Sequence, residues 1–205
     1  AQDYFDNSIY DQKDDAVFDL QMRAEDHDPT NVRTLDVSGN GNHARLGDGS
    51  TPSTYPTKKQ ERGYSLDGGD YFEIDESSVL DLGSGQDITV FGVLKNLTVS
   101  GAANRTVYDK RYEDGGDYKG LGIYYSHAGA LVSSLFYGSG ASALYATSTE
   151  KVLNGLNTFA VVVDRSDTMR LYVNGRLEDE TDISPHENTD LTNPQNPIMG
   201  DAISG

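Results

Sequence analysis

The stretch FAVVVDRSDTMRLYVNGRL, residues 159–177, decides the fold, because it places two strands and two turns in close succession. Residues 159–163 form a β-branched apolar run of strand length, and residues 165–167 have the composition of a turn. In the return strand, residues 168–173, apolar positions alternate with polar or amphipathic ones, as in a sheet that is packed on one face. Its apolar residues are Met169, Leu171 and Val173. The stretch therefore predicts a hairpin of an antiparallel sheet.

A second turn follows at Asn174-Gly175, a dipeptide whose residues both tolerate a positive φ and which is a strong hairpin signal. A strict two-residue turn would place Leu177 on the face of Tyr172. A bulge near Gly175 would instead place Leu177 with Leu171. The sequence leaves both registers open.

The rest of the chain has strand-like segments on the order of every ten residues, with turns between them and no amphipathic helical period, which predicts an all-β sandwich. Residues 16–23 predict the first strand, and residues 87–97 predict a buried strand. Two short strands are expected on either side of the turn at residues 67–70. The core residues expected from the first strand are Phe18, Leu20 and Met22.

Length and composition fit a single sandwich. The chain has 205 residues, of which 22 are glycine and 13 are tyrosine. Residues 1–15 are acidic and aromatic without either period, so we expect an N-terminal arm followed by one domain over residues 16–205. Cysteine is absent, which excludes disulfides, thiolate metal sites and thiol nucleophiles.

The charge of the chain limits its partners. The chain has 16 basic and 33 acidic residues, which give a formal net charge of −17. Such a charge repels phosphate backbones and anionic lipid head groups. We therefore expect no nucleic-acid partner and no membrane insertion.

Several segments together resemble the laminin-G-like branch of the concanavalin A-like lectin/glucanase superfamily. The resemblance spans most of residues 16–200 and is carried by five segments in order: residues 17–22, 36–43, 63–74, 159–163 and 171–175. It implies a two-sheet antiparallel jelly roll that serves as a binding or structural module. The family normally adds another apolar strand after the equivalent of residues 198–200, whereas this chain stops at Gly205.

A further likeness concerns residues 46–49, 56–58 and 62–64, which look like the version of this domain found on tailed-phage virion proteins. It implies a capsid or tail decoration or appendage protein, displayed on the virion surface or otherwise extracellular. The first functional hypothesis is therefore a non-catalytic, surface-displayed binding or structural module.

Two alternatives remain, a secreted calcium-dependent glycan-binding module and a glycoside hydrolase of the laminarinase type. The run from Glu73 to Glu76 resembles the paired carboxylates of those enzymes, but Glu76 follows Asp75 directly and so faces the other way. No tryptophan is available to line a sugar cleft. The sequence thus predicts no catalytic residue and no enzyme activity.

Calcium is the one cofactor that the sequence favours, and none is expected to be required. Calcium prefers carboxylate, amide and carbonyl oxygens on loops bent by glycine. One loop offers Asp36, Asn40 and Asn42, and another offers Asp67 and Asp70. These residues are the candidate calcium loop, although Asp-Gly-Gly-Asp is also a turn sequence in its own right.

Aromatic residues supply the candidate contacts with partners. Tyr4, Phe5 and Tyr10 of the arm are expected to bind another copy of the chain. A missing closing strand would leave an open sheet edge beside residues 16–23, which predicts a homo-oligomer or a virion lattice. Further along the chain, three clusters could stack sugars or pack in the core or at its rim: Tyr124-Tyr125, Phe136-Tyr137 and Tyr145. Surface glycans are accordingly a candidate ligand class.

Overall fold

The structure is a computed structural model that describes residues 16, 18–59, 63–74, 80–95, 104–139, 142–149 and 155–200. It divides into two compact units, Ala1–Leu80 and Asp81–Gly205. Both consist of antiparallel strands and short 3-10 turns, so the all-β prediction is confirmed. The single domain expected over residues 16–205 stays a prediction. None of the helices among the described residues has the length and hydropathy needed to span a membrane.

The first unit contains short strands. They are β1 (His27–Asp28), β2 (Arg33–Thr34), β3 (Ala44–Leu46), β4 (Thr57–Lys58), β5 (Tyr64–Ser65) and β6 (Phe72–Ile74). Strands β1, β2, β3 and β6 lie side by side in that order, and β4 pairs with β5. Two 3-10 turns, Ala24–Asp26 and Pro52–Thr54, connect them. Strands β5 and β6 are the two predicted around residues 67–70.

The first strand predicted at residues 16–23 is wrong for the described residues 16 and 18–22, and only Arg23 forms an isolated bridge. No ladder forms over residues 18–22, and the three side chains expected in the core are only half-buried: Phe18, Leu20 and Met22. Met22 has a φ of 55°, a left-handed conformation that interrupts an extended strand. The segment is held instead by a loop, because the Val37 amide donates to the Asp19 carbonyl at 2.9 Å. The open sheet edge expected beside this segment, with the homo-oligomer or virion lattice inferred from it, stays a prediction.

The second unit holds the longer strands. They are β7 (Ile88–Lys95), β8 (Arg105–Asp114), β9 (Asp117–Tyr125), β10 (Leu131–Ser139), β11 (Ser142–Thr147), β12 (Leu156–Val163), β13 (Thr168–Val173), β14 (Arg176–Asp182) and β15 (Ile198–Met199). Within this unit β15, β8, β9, β10 and β11 lie side by side in that order and form what we call the front sheet. Strands β14, β13, β12 and β7 form the back sheet.

One apolar core lies within the second unit. Leu121, Ile123 and Leu135 enter it from the front sheet, and Val161 and Leu171 enter it from the back sheet. All five are at most 1% exposed. Alternate residues of each strand fill this core, as the period of two requires. The unit is therefore the two-sheet sandwich that the sequence predicted.

The hairpin of β12 and β13 has the predicted register, with Phe159 opposite Val173. Asn174 and Gly175 have φ values of 51° and 77°, as the predicted turn requires. Leu177 pairs with Tyr172, so the turn is the strict two-residue form and the bulge lies one step further along β14. As a result, Leu177 faces outward.

Strand β7 was predicted to be buried, and this is wrong for one of its faces. Its residues alternate between half-buried and exposed, and Phe91 and Val93 are 63% and 60% exposed. The inward face packs closely, because a Cβ on Gly92 would lie 2.7 Å from the Phe159 ring. A sandwich covers only one face of each sheet, so an apolar run need not be buried on both faces.

Arg165, in the turn between β12 and β13, is fully buried. Its backbone amide donates to the Asp87 carboxylate at 2.8 Å, and its guanidinium donates to the carbonyls of His186 and Thr189 at 2.6 and 2.7 Å. A longer contact of 3.4 Å reaches the Gly83 carbonyl. Arg165 thus joins the hairpin to two loops of the same unit.

Replacing Arg165 with Met is expected to lower the free energy of unfolding by about 2–4 kcal/mol, because buried carbonyls lose a charged donor. Urea denaturation measures this change. Arg170→Met is the matched control, since Arg170 is partly exposed and pairs with Asp167 and Glu180 at the surface. The control should lose less than about 1 kcal/mol. Equal losses in the two variants would contradict the anchoring role of Arg165.

Candidate functional site

The predicted calcium loop is organised by hydrogen bonds to Asp36. Its Oδ1 accepts from the amides of Asp19 and Ser38, both at 2.9 Å. Its Oδ2 accepts from the Ser38 hydroxyl at 2.8 Å and from the Asn42 amide at 2.9 Å. The structure therefore brings Asp36 and Asn42 together, and the carboxylate acts as the acceptor that closes the loop.

The other predicted calcium residues also make contacts typical of turns. Asn40 is exposed and donates to the Ala16 carbonyl at 2.9 Å. Asp70 is buried and accepts from the Asp67 amide at 3.2 Å, while the Asp67 carboxylate accepts from the Gly69 amide at 3.0 Å. Across the described ranges, no three His, Cys, Asp or Glu side chains are grouped to hold a metal ion. Calcium binding stays a prediction, and a melting curve with calcium and with EDTA tests it.

Two other groups of residues were candidates in the sequence: the carboxylates of residues 73–76 and the aromatic residues of the N-terminal arm. Glu73 forms an ion pair with Arg45 at 3.0 Å on neighbouring strands, whereas Asp75 and Glu76 lie outside the described residues. The predicted contacts of the arm also lie outside the described residues: Tyr4, Phe5 and Tyr10.

Asp36 gives a pH prediction. Burial raises the pKa of its carboxyl, but the hydrogen bonds from Asp19, Ser38 and Asn42 outweigh burial and lower the pKa below its usual value of 3.8. A lowered pKa means that the ionised group stabilises the fold above pH 3.8, and that this contribution is lost as the pH falls through the folded pKa.

The Asp36→Asn variant should therefore be less stable than the parent chain at neutral pH, with a difference that shrinks on acidification below the usual carboxyl pKa. Urea unfolding of both chains across this pH range measures the difference. A difference that stays constant over the whole range would show that the charge of Asp36 is not what holds the loop.

A different set of side chains lies on the outer face of the front sheet. Strand register aligns Asp109, Gly122, Ser134 and Tyr145 in one row across β8 to β11. The next row aligns Arg111, Gly120, Phe136 and Ala143. We call the outward side chains the arginine–aromatic face, and its members are Asp109, Arg111, Tyr118, Tyr124, Phe136 and Tyr145.

Arg111 packs on this face against Asp109 and Phe136. Its Nε donates to Asp109 Oδ1 at 2.6 Å, and its Nη2 contacts the second carboxylate oxygen. The guanidinium carbon is 5.1 Å from the centre of the Phe136 ring, a cation–π distance. A Cβ at position 122 would lie 2.9 Å from Arg111 Nε, so only glycine leaves room for this conformation. The ion pair is thus fixed in place by the strand beside it.

Aromatic rings surround the ion pair. Phe136 is only 6% exposed, although it points away from the core. The Tyr118 ring is 5.9 Å from it, and the Tyr145 ring packs edge-on at 6.4 Å. Tyr145 itself is 46% exposed. The face therefore has a buried aromatic centre and an accessible ring at its margin.

The positive charge of Arg111 is paired with the negative charge of Asp109. Burial lowers the pKa of Arg111, but the hydrogen bonds and the charge of Asp109 outweigh burial, so the pKa is raised and the guanidinium stays protonated. Burial, reinforced by Tyr145, raises the pKa of Tyr124. A hydrogen bond to Glu113 raises the pKa of Tyr118. Both phenols therefore remain neutral hydrogen-bonding groups.

Strand alternation separates the aromatic clusters noted in the sequence. Tyr125 is 1% exposed and Tyr137 packs against the core, whereas Tyr124, Phe136 and Tyr145 lie on the outer face. Sequence reasoning missed Asp109 and Arg111. Their spacing of two residues along one strand was visible in the sequence, but the glycines opposite them became visible only in the strand register.

Such a face can hold a sugar without reacting with it. An exposed ring can stack on the apolar side of a pyranose. A carboxylate can accept a hydrogen bond from one hydroxyl, and the guanidinium beside it can donate to another. Asp109 and Glu113, which lie on the same side of β8, are four residues apart, or about 13 Å along a strand. Glycoside hydrolysis requires roughly 5–9.5 Å between its two carboxyl groups.

Comparison with known proteins identifies a family that the sequence matches. A family model described as the concanavalin A-like lectin/glucanases superfamily matches residues 66–204. A search of curated proteins found no significant match.

Several solved structures have a similar fold. The botulinum neurotoxin serotype D ligand binding domain, in complex with N-acetylneuraminic acid, is 16% identical with a TM-score of 0.65, over 92% of this chain and 43% of that chain. The binding domain of Paraclostridial Mosquitocidal Protein 1 is 15% identical with a TM-score of 0.68, over 92% of this chain and 45% of that one. The binding domain of botulinum neurotoxin serotype G is 12% identical with a TM-score of 0.60, over 91% and 46%. At these identities the likeness shows the fold alone, and the chain spans less than half of each of these structures.

Proposed function

The chain belongs to the concanavalin A-like lectin/glucanases superfamily, and from this premise we propose that it is a non-catalytic module that binds neutral glycans on the arginine–aromatic face. The observation that carries this proposal is the Asp109–Arg111 pair, whose guanidinium lies over the Phe136 ring, with the exposed ring of Tyr145 packed beside Phe136. A sugar has hydroxyl groups and an apolar face. A binding site for it therefore combines fixed polar groups with an exposed aromatic side chain.

The class of ligand follows from charge. Arg111 is neutralised by Asp109, so it offers hydrogen bonds but little net positive charge. The formal net charge of the chain is −17, which repels carboxylated and sulfated sugars over a distance. Both features favour uncharged sugars.

The absence of catalysis is part of the proposal. A glycosidase needs a carboxylic acid that is protonated at the working pH and a second carboxylate nearby. Both carboxylate oxygens of Asp109 contact Arg111, and Glu113 is too far along the same strand to act with Asp109 on one sugar bond. Reducing-sugar release from β-glucans tests the hydrolase alternative.

The similar structures support a binding role. Those compared above are binding domains by description, and one of them contains N-acetylneuraminic acid. As part of the proposal, we also place this protein outside the cell, and the description of these structures as binding domains supports that placement. Display on a phage virion rests on residues 46–49, 56–58 and 62–64, and it stays a prediction.

A glycan array that carries neutral, sialylated and sulfated glycans tests the proposal, followed by calorimetry with the strongest neutral ligand. Tyr145→Ala should weaken binding at least tenfold, because the exposed ring supplies the stacking surface. Gly122→Ala should also weaken binding, since a Cβ there displaces Arg111. Tyr172→Ala is the matched control, because Tyr172 lies on the outer face of the back sheet.

The proposal would be overturned by any of three results. These are no binding to any neutral glycan, binding only to acidic glycans, and equal affinities for the parent chain and the Tyr145→Ala variant. Thermal melting of each variant shows whether the fold is retained. A loss of affinity with an unchanged melting temperature assigns the effect to the face itself.

A further inference from the structure

Lys110, on β8, carries an amine into the core of the second unit. It lies opposite Leu121, which is buried in that core. Lys110 itself is 3% exposed. Its Nζ donates to the carbonyls of Gln195 and Asn193 at 3.0 and 3.3 Å, in the loop before β15. The amine is therefore held at one place in a region that excludes water.

Asp81 brings a carboxyl group to this amine. It is 7% exposed, and its Oδ1 is 3.0 Å from Lys110 Nζ. Among the described residues this oxygen nevertheless has no hydrogen-bond partner, so its contact with Nζ is not aligned as a hydrogen bond. Buried carboxylates are normally satisfied by well-aligned hydrogen bonds, and an exception needs an explanation.

An amine that lies against a carboxyl group, away from water, is arranged for condensation to an amide. The carboxyl carbon is one bond from Oδ1, so the two reacting atoms are close to the separation of about 3–3.5 Å that a near-attack arrangement requires. Holding two groups in this way corresponds to an effective concentration of roughly 10⁵–10⁸ M. The product is neutral, so the reaction also removes two charges from a site where charge is costly. Proximity and burial thus favour the same reaction.

We infer that Lys110 and Asp81 are joined by an isopeptide bond in the folded chain. A proton passes from the ammonium to the carboxylate, and the neutral amine attacks the carboxyl carbon. The Nζ–Cγ bond forms, one Cγ–O bond breaks, and the oxygen leaves as water with two of the three ammonium protons. The third proton stays on the amide nitrogen, close to the Gln195 carbonyl. No oxidant or other reactant is consumed.

This bond gives the second unit a covalent constraint. It joins the segment before β7 to β8 and closes a loop over residues 82–109. In a chain without cysteine it does what a disulfide does elsewhere, because it limits the conformations of the unfolded state. Lys110 faces the opposite side of β8 from Asp109 and Arg111, so the inference does not depend on glycan binding.

Mass spectrometry of the purified, denatured chain tests the inference. The parent chain should be lighter than its sequence by one water molecule. After tryptic digestion, residues 63–95 and 106–111 should be recovered as one branched peptide, since trypsin does not cut after a lysine whose amine is acylated. Fragmentation of that peptide should place the link at Asp81 and Lys110.

Three variants serve as controls. Lys110→Arg keeps the positive charge, but a guanidinium that stays protonated is not a nucleophile, so this variant should have its full sequence mass. Asp81→Ala should have its full sequence mass as well. Lys119→Arg, on the neighbouring strand β9, should still lose one water. The two variants without the bond should melt at a lower temperature than the parent chain.

Two results would overturn the inference. One is a parent chain that keeps its full sequence mass after prolonged incubation in the folded state, which would mean that the pair remains ionic. The other is a loss of one water that persists in Lys110→Arg, which would place the dehydration elsewhere, for example at the sequence Asp114-Gly115. The mass of the parent chain decides between these outcomes even where a variant fails to fold, and circular dichroism shows which variants keep their strands.

Discussion

The structure depends on one constraint, the alternation of side chains along antiparallel strands. In the second unit the inward residues of both sheets form a single core, so each strand has only its outward half for other chemistry. On the front sheet the outward side chains form a packed layer, in which Arg111 and the aromatic rings contact one another. On the back sheet the outward side chains of Phe91 and Val93 are exposed. The two outer faces therefore differ in their chemistry.

Glycine and buried polar groups make this arrangement possible. A Cβ at Gly120 would lie 1.9 Å from the Lys110 carbonyl, and one at Gly122 would meet Arg111. Inside the same unit the ammonium of Lys110 is 3.0 Å from Asp81 in a pair that water hardly reaches. Such pairs add little net stability but strongly disfavour arrangements that separate the charges. This pair joins β8, the strand that carries Asp109 and Arg111, to the loop that carries Asp81.

Local patterns in the sequence were enough to predict part of this structure. The alternation in residues 168–173 and the Asn174-Gly175 turn gave the hairpin correctly, because both signals act over neighbouring residues. Residues 16–23 alternate equally well, yet the described residues 18–22 form no ladder, and Met22 turns the chain with a φ of 55°. The Asp109–Arg111 pair could not be recognised from the sequence alone, because its position depends on a glycine of the next strand. Residue type and spacing do not reveal such cross-strand register.

Mapping a bound sugar onto the sheet tests the central claim most directly. Backbone amide chemical shifts, followed by NMR during titration with the strongest neutral oligosaccharide from the array, report which face the ligand touches. The account predicts shifts concentrated at Gly122, Tyr124 and Tyr145, with the amides of β12 and β13 unchanged. Shifts concentrated on the back sheet, or spread evenly over both sheets, would contradict it.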